Sequence, residues 1–531
     1  MFKTNWNFPY VSQRMPIFAR NMVATSHPLA VQAGLDILHK GGNAVDAAVA
    51  SAITLTVVEC TNNGIGGDNF AIVWDNKSKK LYGLNASGKS PASWNFDYFK
   101  QKYQKMPITG WDTVTIPGSV SGWLALSERF GKLPFAELFL PAIEYSERGF
   151  HVSPITARVW KNVQYKYKDF LEFNKTFLLN GETPRVSQKI VFKNHAKTLS
   201  EIAETKTESF YCGKLAEKIV KHAHNTGGFF TLEDLQKHQV EWLDTISINY
   251  RDYEIHEIPP NGQGIAVLIA MGILKHCNIN QYPPDSADSL HLQIEAIKLA
   301  FADLYKYVSD PDTMDIDYHY LLNDSYLSER AKNIDINSSK SVSPGIPGGN
   351  SDTVYLATAD DDGMMVSFIQ SNYTDFGSGI VVPDTGISLQ SRGACFCLEK
   401  NHPNQIAGAK KPFHTIIPAF VTKKGRPVMS FGVMGGDMQP QGQVQILIRI
   451  IEYHQNSQSA SDALRWRVME DNCVALEKGT NEKVIQELVK RGHKILLCES
   501  SYFGGAQLIS RVEEGYCGAS DHRKDGQASG Y

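Results

Sequence analysis

Residues 353–379 read TVYLATADDDGMMVSFIQSNYTDFGSG, and the sixteen residues before them, 337–352, read NSSKSVSPGIPGGNSD. The upstream segment has almost no core-forming residues: seven are Ser or Asn, three are Gly and two are Pro. Such a composition predicts an exposed, flexible connector. At Asp352–Thr353 the pattern changes. Thr353, Tyr355 and Ala357 alternate with Val354, Leu356 and Thr358, the period of a strand. Asp361, Asp362 and Gly363 supply a turn, and Met364 to Gln370 a second strand. With the turn at 360–363, residues 359 and 364 pair. Thr353 is then expected opposite Gln370, with Ser371 and Asn372 beside it. A hydroxyl residue thus opens a hairpin directly after a cleavable-looking loop.

The rest of the chain sets limits. Its 531 residues, 42% hydrophobic and 21% charged, are those of an ordinary globular protein. A net charge of −3 gives no basic footprint for nucleic acid. No apolar run reaches the length of a membrane span, and no apolar segment follows the first Lys as in an export signal. A cytoplasmic location is therefore expected. The eight Cys are scattered without a CxxC pair, which reads as free thiols rather than a disulfide framework.

Helical patterns are expected to cluster before residue 335 and strand hairpins after 353. Residues 155–250 read as mostly helical. Helices stacked on antiparallel sheets, an α+β arrangement, follow from this. Asn43 starts a helix whose small residues suit close packing between layers. The glycine cluster in Asn62–Asp68 is not flanked as a strand–GxGxxG–helix unit should be. It reads as a tight turn with close backbone approach, not a nucleotide site. His222 and His224 read as a solvated helix face. His291 and Glu295, one turn apart on a Ser289–Tyr307 helix, read as a capped or paired helix surface. No metal site is expected.

A threonine hydroxyl is a weak nucleophile without a base in reach. An α-amine titrates near 7.7–8, so an N-terminal Thr carries its own base, whereas an internal Thr has only an amide nitrogen. Cleavage between Asp352 and Thr353 would switch such a residue on. The same hydroxyl could make the cut by attacking the Asp352 carbonyl. Gly435–Gly436, at a strand-to-helix transition, suits an oxyanion hole. Asp-Thr is a common dipeptide and Gly-Gly a common turn, so a plain structural reading stays open on chemistry alone.

The chain resembles the γ-glutamyltransferase (glutathione hydrolase) family of N-terminal-nucleophile hydrolases. The resemblance spans MVATSHPLAVQAGLDILHKGGNAVDAAVA, GIGGDNFAIVW, PGSVSGW, PPNGQG, DTVYLATADDDG, FGSGIVVPDTGI, VMGGDMQPQG and GASDHRKDG, in family order. It implies a four-layer αββα sandwich and a proenzyme cut into chains 1–352 and 353–531 that stay associated. It implies acyl transfer from γ-glutamyl donors such as glutathione, through Thr353, to water or an amine, with no cofactor. Thr353 matches the nucleophile, Ser371 a hydroxyl residue bonded to it, and Gly435 and Gly436 the oxyanion glycines. His414 and Thr415 occupy a Ser-Ser pair that holds the substrate carboxylate. Asn372 and Tyr373 fall in the substrate-binding segment. The family's carboxylate-binding Arg falls at Phe96 and its amine-binding acid at Cys395, while Arg392 is a new charge. That exchange implies a pocket that still favours a carboxylate but reads an α-amine less well. A glutaryl- or cephalosporin-type acylase is thus the alternative to γ-glutamyl transfer, and a catalytically silent homologue the third reading.

Overall fold

The computed structural model describes residues 14–339, 353–469 and 473–531. The expected connector from 340 onward, with Asp352, lies outside the described residues. Two seven-stranded sheets form the centre. Edge to edge, the first runs Gln527–Gly530, Met22–Thr25, Val354–Ala359, Met365–Ser371, Asp68–Asp75, Lys80–Asn85 and Glu241–Leu243. The second runs Ile17–Ala19, Tyr516–Ser520, Gly505–Arg511, Arg426–Met434, Ala419–Lys423, Tyr253–Glu257 and Ile246–Tyr250.

Strand periodicity explains the layering. Tyr355, Ala357 and Ala359 point between the sheets, where they join Phe70, Ile72, Met365, Ile369, Phe420 and Ile509 in one apolar core. Val354 and Leu356 point the other way, with Val366 and Phe368, onto the Ala44–Val58 helix. That helix is buried along its whole length, as its small residues require, and a capping box between Asn43 and Asp46 fixes its start. On the far side, Phe431, Val433 and Leu508 pack on the Ile265–Lys275, Ala287–Tyr307 and Met438–Ile451 helices. The result is the expected αββα sandwich.

Two expectations are corrected. Strand hairpins do not cluster only after 353: Met22–Thr25, Asp68–Asp75 and Lys80–Asn85, and three strands within 241–257, belong to the two sheets. Residues 155–250 are therefore mostly helical only as far as Gln236, with one short strand at Lys189–Ile190, and turn to sheet strands from Glu241. The hairpin register also differs by one, since Val354 pairs with Gln370 and Ala359 with Met365. The Asp360 carboxylate accepts the Met364 N–H at 3.0 Å, which draws Met364 into the loop. Continuing the observed register sets Thr353 across from Ser371, with both side chains on the inter-sheet face.

Among the described residues, no helix is long and apolar enough to cross a membrane. All eight Cys are free.

Candidate active site

Thr353 sits at the N-terminal end of a central strand, fully buried. Its Oγ1 donates to Ser371 Oγ at 3.4 Å and accepts from Gln439 Nε2 at 3.3 Å. Ser371 Oγ also accepts the Tyr373 N–H at 2.8 Å. The glycine cluster explains how this hydroxyl is placed. A Cβ on Gly67 would lie 2.6 Å from the Ser371 carbonyl and 2.5 Å from Asn372 Oδ1. Close approach, not phosphate binding, is thus what the glycines provide.

Asn372 does not sit beside Thr353. Its neighbour Ser371 takes the inter-sheet face, so Asn372 projects to the other side and donates to Ser388 Oγ at 3.1 Å. Tyr373 adopts φ +77, and its ring lies under the Arg392 guanidinium at 4.7 Å.

Gly435 and Gly436, at φ +111 and +57, turn the chain from the Arg426–Met434 strand into the Met438–Ile451 helix. Residues with a Cβ are strained at such angles. The Gly436 carbonyl accepts from Gln439 N–H at 3.0 Å and from Gln263 Nε2 at 2.9 Å. Gln263 Nε2 also bonds the Thr415 carbonyl. Gln263, from the PPNGQG turn, therefore clamps the Gly-Gly turn to the segment that carries Thr415, just ahead of the Ala419–Lys423 strand. Sequence reading missed both glutamines. The signal present was their place inside two of the motifs that carry the family resemblance, PPNGQG and VMGGDMQPQG.

Arg392 is completely buried. One guanidinium nitrogen donates to Thr415 Oγ1 at 2.7 Å and lies 3.9 Å from the Cys395 sulfur. Its Nε and Nη2 have no hydrogen-bond partner among the described residues. Such a group is costly to bury unless a ligand completes it. Cys395 and Tyr373 border it, and both have pKa values raised by burial, with the charge of Asp437 contributing further. Phe96 packs instead in an aromatic cluster with Trp94, Phe99 and Phe396.

Both ring nitrogens of His414 are already engaged within the protein. Its Nδ1 accepts the Ile416 N–H at 3.3 Å, which leaves Nε2–H to donate to Asp68 Oδ2 at 3.1 Å. Burial, with Arg392 and Lys411 adding, pushes its pKa well below 6.5, so it is a neutral imidazole. Asp68 Oδ1 accepts from Gly118 N–H at 2.9 Å, Gly88 N–H at 3.3 Å and Gln390 Nε2 at 3.0 Å. Despite these bonds, burial pushes Asp68 up to about 7.

A family model described as gamma-glutamyltranspeptidase matches residues 30–531. The chain belongs to the gamma-glutamyltranspeptidase family. Three relatives frame its place in that family. The glutathione hydrolase-like YwrD proenzyme of Bacillus subtilis is 36% identical over 97% of this chain and 99% of its own length. The oxamate amidohydrolase proenzyme of Klebsiella pneumoniae is 34% identical over 97% of this chain and 99% of its own. A crystal structure of cephalosporin acylase from Bacillus halodurans superposes with a TM-score of 0.95 at 45% identity, over 100% of this chain and 99% of that one. Gamma-glutamyltranspeptidase relatives thus include glutathione hydrolases, an amidohydrolase and acylases, several of them proenzymes.

Among the described residues, the side chains grouped closely enough to hold a metal are His291, Glu295 and His493, not His222 and His224. All three are buried, so the expected helix-surface pair at 291 and 295 is corrected. The Lys298 ammonium already bonds Glu295 Oε1 at 2.9 Å and Ser339 Oγ at 2.8 Å. A cation thus occupies the place a metal would take.

Proposed function

We propose that the chain is a self-cleaving N-terminal-threonine acylase acting on amides whose acyl group ends in a carboxylate. Its two products would be chains 1–352 and 353–531. Thr353 Oγ attacks the amide carbonyl and its α-amine takes the proton, while Gly435 and Gly436 offer N–H groups to the oxyanion. The amine half leaves, and water or a second amine then opens the ester at Thr353.

The observation that carries the choice of acyl group is Arg392, buried, anchored on Thr415 and stacked on Tyr373, with two nitrogens lacking a partner among the described residues. Tyr373 in turn bonds Ser371, which touches Thr353. A carboxylate there would lie a short acyl chain away from the nucleophile. Cys395 offers no charge for an α-amine, which favours glutaryl-type over γ-glutamyl donors. The γ-glutamyl reading, glutathione included, keeps one support: Asp437 is near enough to act on the Cys395 thiol, so it could receive the amine instead.

Release of anilide from glutaryl, γ-glutamyl and neutral pentanoyl anilides separates these readings. Glutaryl anilide is expected to give the highest kcat/KM and pentanoyl anilide the lowest. Turnover of γ-glutamyl anilide far above glutaryl anilide would reverse the choice.

Gln263→Ala removes the clamp on the Gly436 carbonyl while leaving Arg392 alone. It is expected to lower kcat about tenfold with KM changed less than about threefold, since oxyanion donors act in the transition state. A rise in KM alone would assign Gln263 to substrate binding instead.

A further inference from the structure

The Gln439 carboxamide is held in one orientation at the hydroxyl of Thr353. It is fully buried in the first turn of the Met438–Ile451 helix. Its Oε1 accepts the Ile417 N–H at 3.0 Å. A flipped amide would set two donors against each other there, so Nε2 must face Thr353, which it does at 3.3 Å. The Thr353 proton points to Ser371 Oγ, so a lone pair on Oγ1 is what Gln439 meets.

We propose that Gln439 is a catalytic residue, donating an N–H to the nucleophile oxygen whenever that oxygen carries charge. The inference rests on Thr353 being the nucleophile. In acylation the bond from Oγ to the acyl carbon forms, the Oγ–H bond breaks, and its proton passes to the α-amine. The carbon–nitrogen bond of the substrate then breaks, and the departing amine takes that proton. In deacylation a water oxygen bonds to the carbon, the carbon–Oγ bond breaks, and a proton from that water returns to Oγ. Oγ gains negative character at the start of the first step and the end of the second. An N–H donor strengthens in that state, because a charged acceptor makes the stronger hydrogen bond. In the acyl-enzyme between them, Oγ is an ester oxygen and a weak acceptor. Gln439 thus favours both transition states over the intermediate. The same logic covers the cut at Asp352–Thr353, which also proceeds by attack of Oγ.

The test uses the full-length chain. Gln439→Met keeps the volume but cannot donate. It is expected to slow self-cleavage, followed by denaturing electrophoresis, and kcat on glutaryl anilide, each by roughly 10- to 100-fold, at or below the range for one oxyanion-hole donor. Gln439→Glu keeps an acceptor for Ile417, and its second oxygen donates only when protonated. Its rates are therefore expected to be displaced toward acid pH relative to wild type, a displacement that a purely structural glutamine would not cause. A folded Gln439→Met protein within twofold of wild type, or a Gln439→Glu profile superimposable on wild type, overturns the proposal. An uncut but folded wild type would overturn Thr353 as nucleophile instead, which separates the two failures.

Discussion

Thr353→Ala is expected to leave one chain of 59.1 kDa, where wild type is expected to yield two, of 352 and 179 residues. Amidase activity should fall by at least about 10³-fold, since loss of a nucleophile leaves only binding and oxyanion stabilisation. The physical reason is that, among the described residues, no other hydroxyl is shown bonded to the Gln439 amide at the proposed new terminus. Ser371 is across the hairpin and has no α-amine to gain. Thr353→Ser keeps the hydroxyl and should cut and turn over at a reduced rate. Because Thr353 is wholly buried, the alanine variant should still fold, at a cost of about 1–2 kcal/mol. Thermal melting of the uncut variant checks this. Cleavage of Thr353→Ala at the same position would mean that another group does the cutting, and wild-type rates would remove Thr353 from the chemistry.

The hairpin carried most of what was legible in sequence. The alternation of 353–358 set which residues face the inter-sheet core, and that parity survived a one-residue error in register. The error came from Asp360, whose carboxylate captures the Met364 N–H and lengthens the loop, a side-chain effect that turn composition alone does not reveal. Met22–Thr25 is buried on both faces and Glu241–Leu243 is only three residues long, so neither alternates visibly. The glycines at 64–67 were readable as close approach, but not what they approach, because Ser371 lies some three hundred residues away in the chain.

The site was legible where chemistry demands a particular residue type, and obscure where it demands only a donor. Threonine at a strand start and glycine pairs at a strand end are constrained by mechanism and backbone angle. Gln263 and Gln439 act through amide groups that ordinary buried glutamines also have, and only their partners distinguish them. His414 shows the reverse case: its sequence position suggested a substrate contact, while the Ile416 N–H and the Asp68 carboxylate claim its two ring nitrogens.

Arg392→Met should separate substrate recognition from scaffold. If Arg392 reads the carboxylate, removing its charge costs the hydrogen bonds made by Nε and Nη2, each about 1.5–3 kcal/mol for a charged partner. The expected result is a fall in kcat/KM on glutaryl anilide of at least about 100-fold, with pentanoyl anilide changed less than about threefold. The ratio of the two therefore collapses, which a general loss of folded enzyme cannot mimic. Arg392 also has a structural consequence. Burial pushes Asp68 up to about 7 from 3.8, and the charge of Arg392 opposes that rise. A carboxyl raised on folding contributes stability that is present below 3.8 and lost as pH climbs through its folded value. Without Arg392 the rise is larger, so the melting deficit of the variant should be smallest near pH 5 and grow above pH 7. Melting curves against pH measure that deficit, and the substrate ratio measured at pH 6, where the fold is least affected, isolates recognition. An unchanged ratio beside a pH-dependent melting deficit would make Arg392 a counter-ion for Asp68 and return the acyl group to Asp437 and the γ-glutamyl reading.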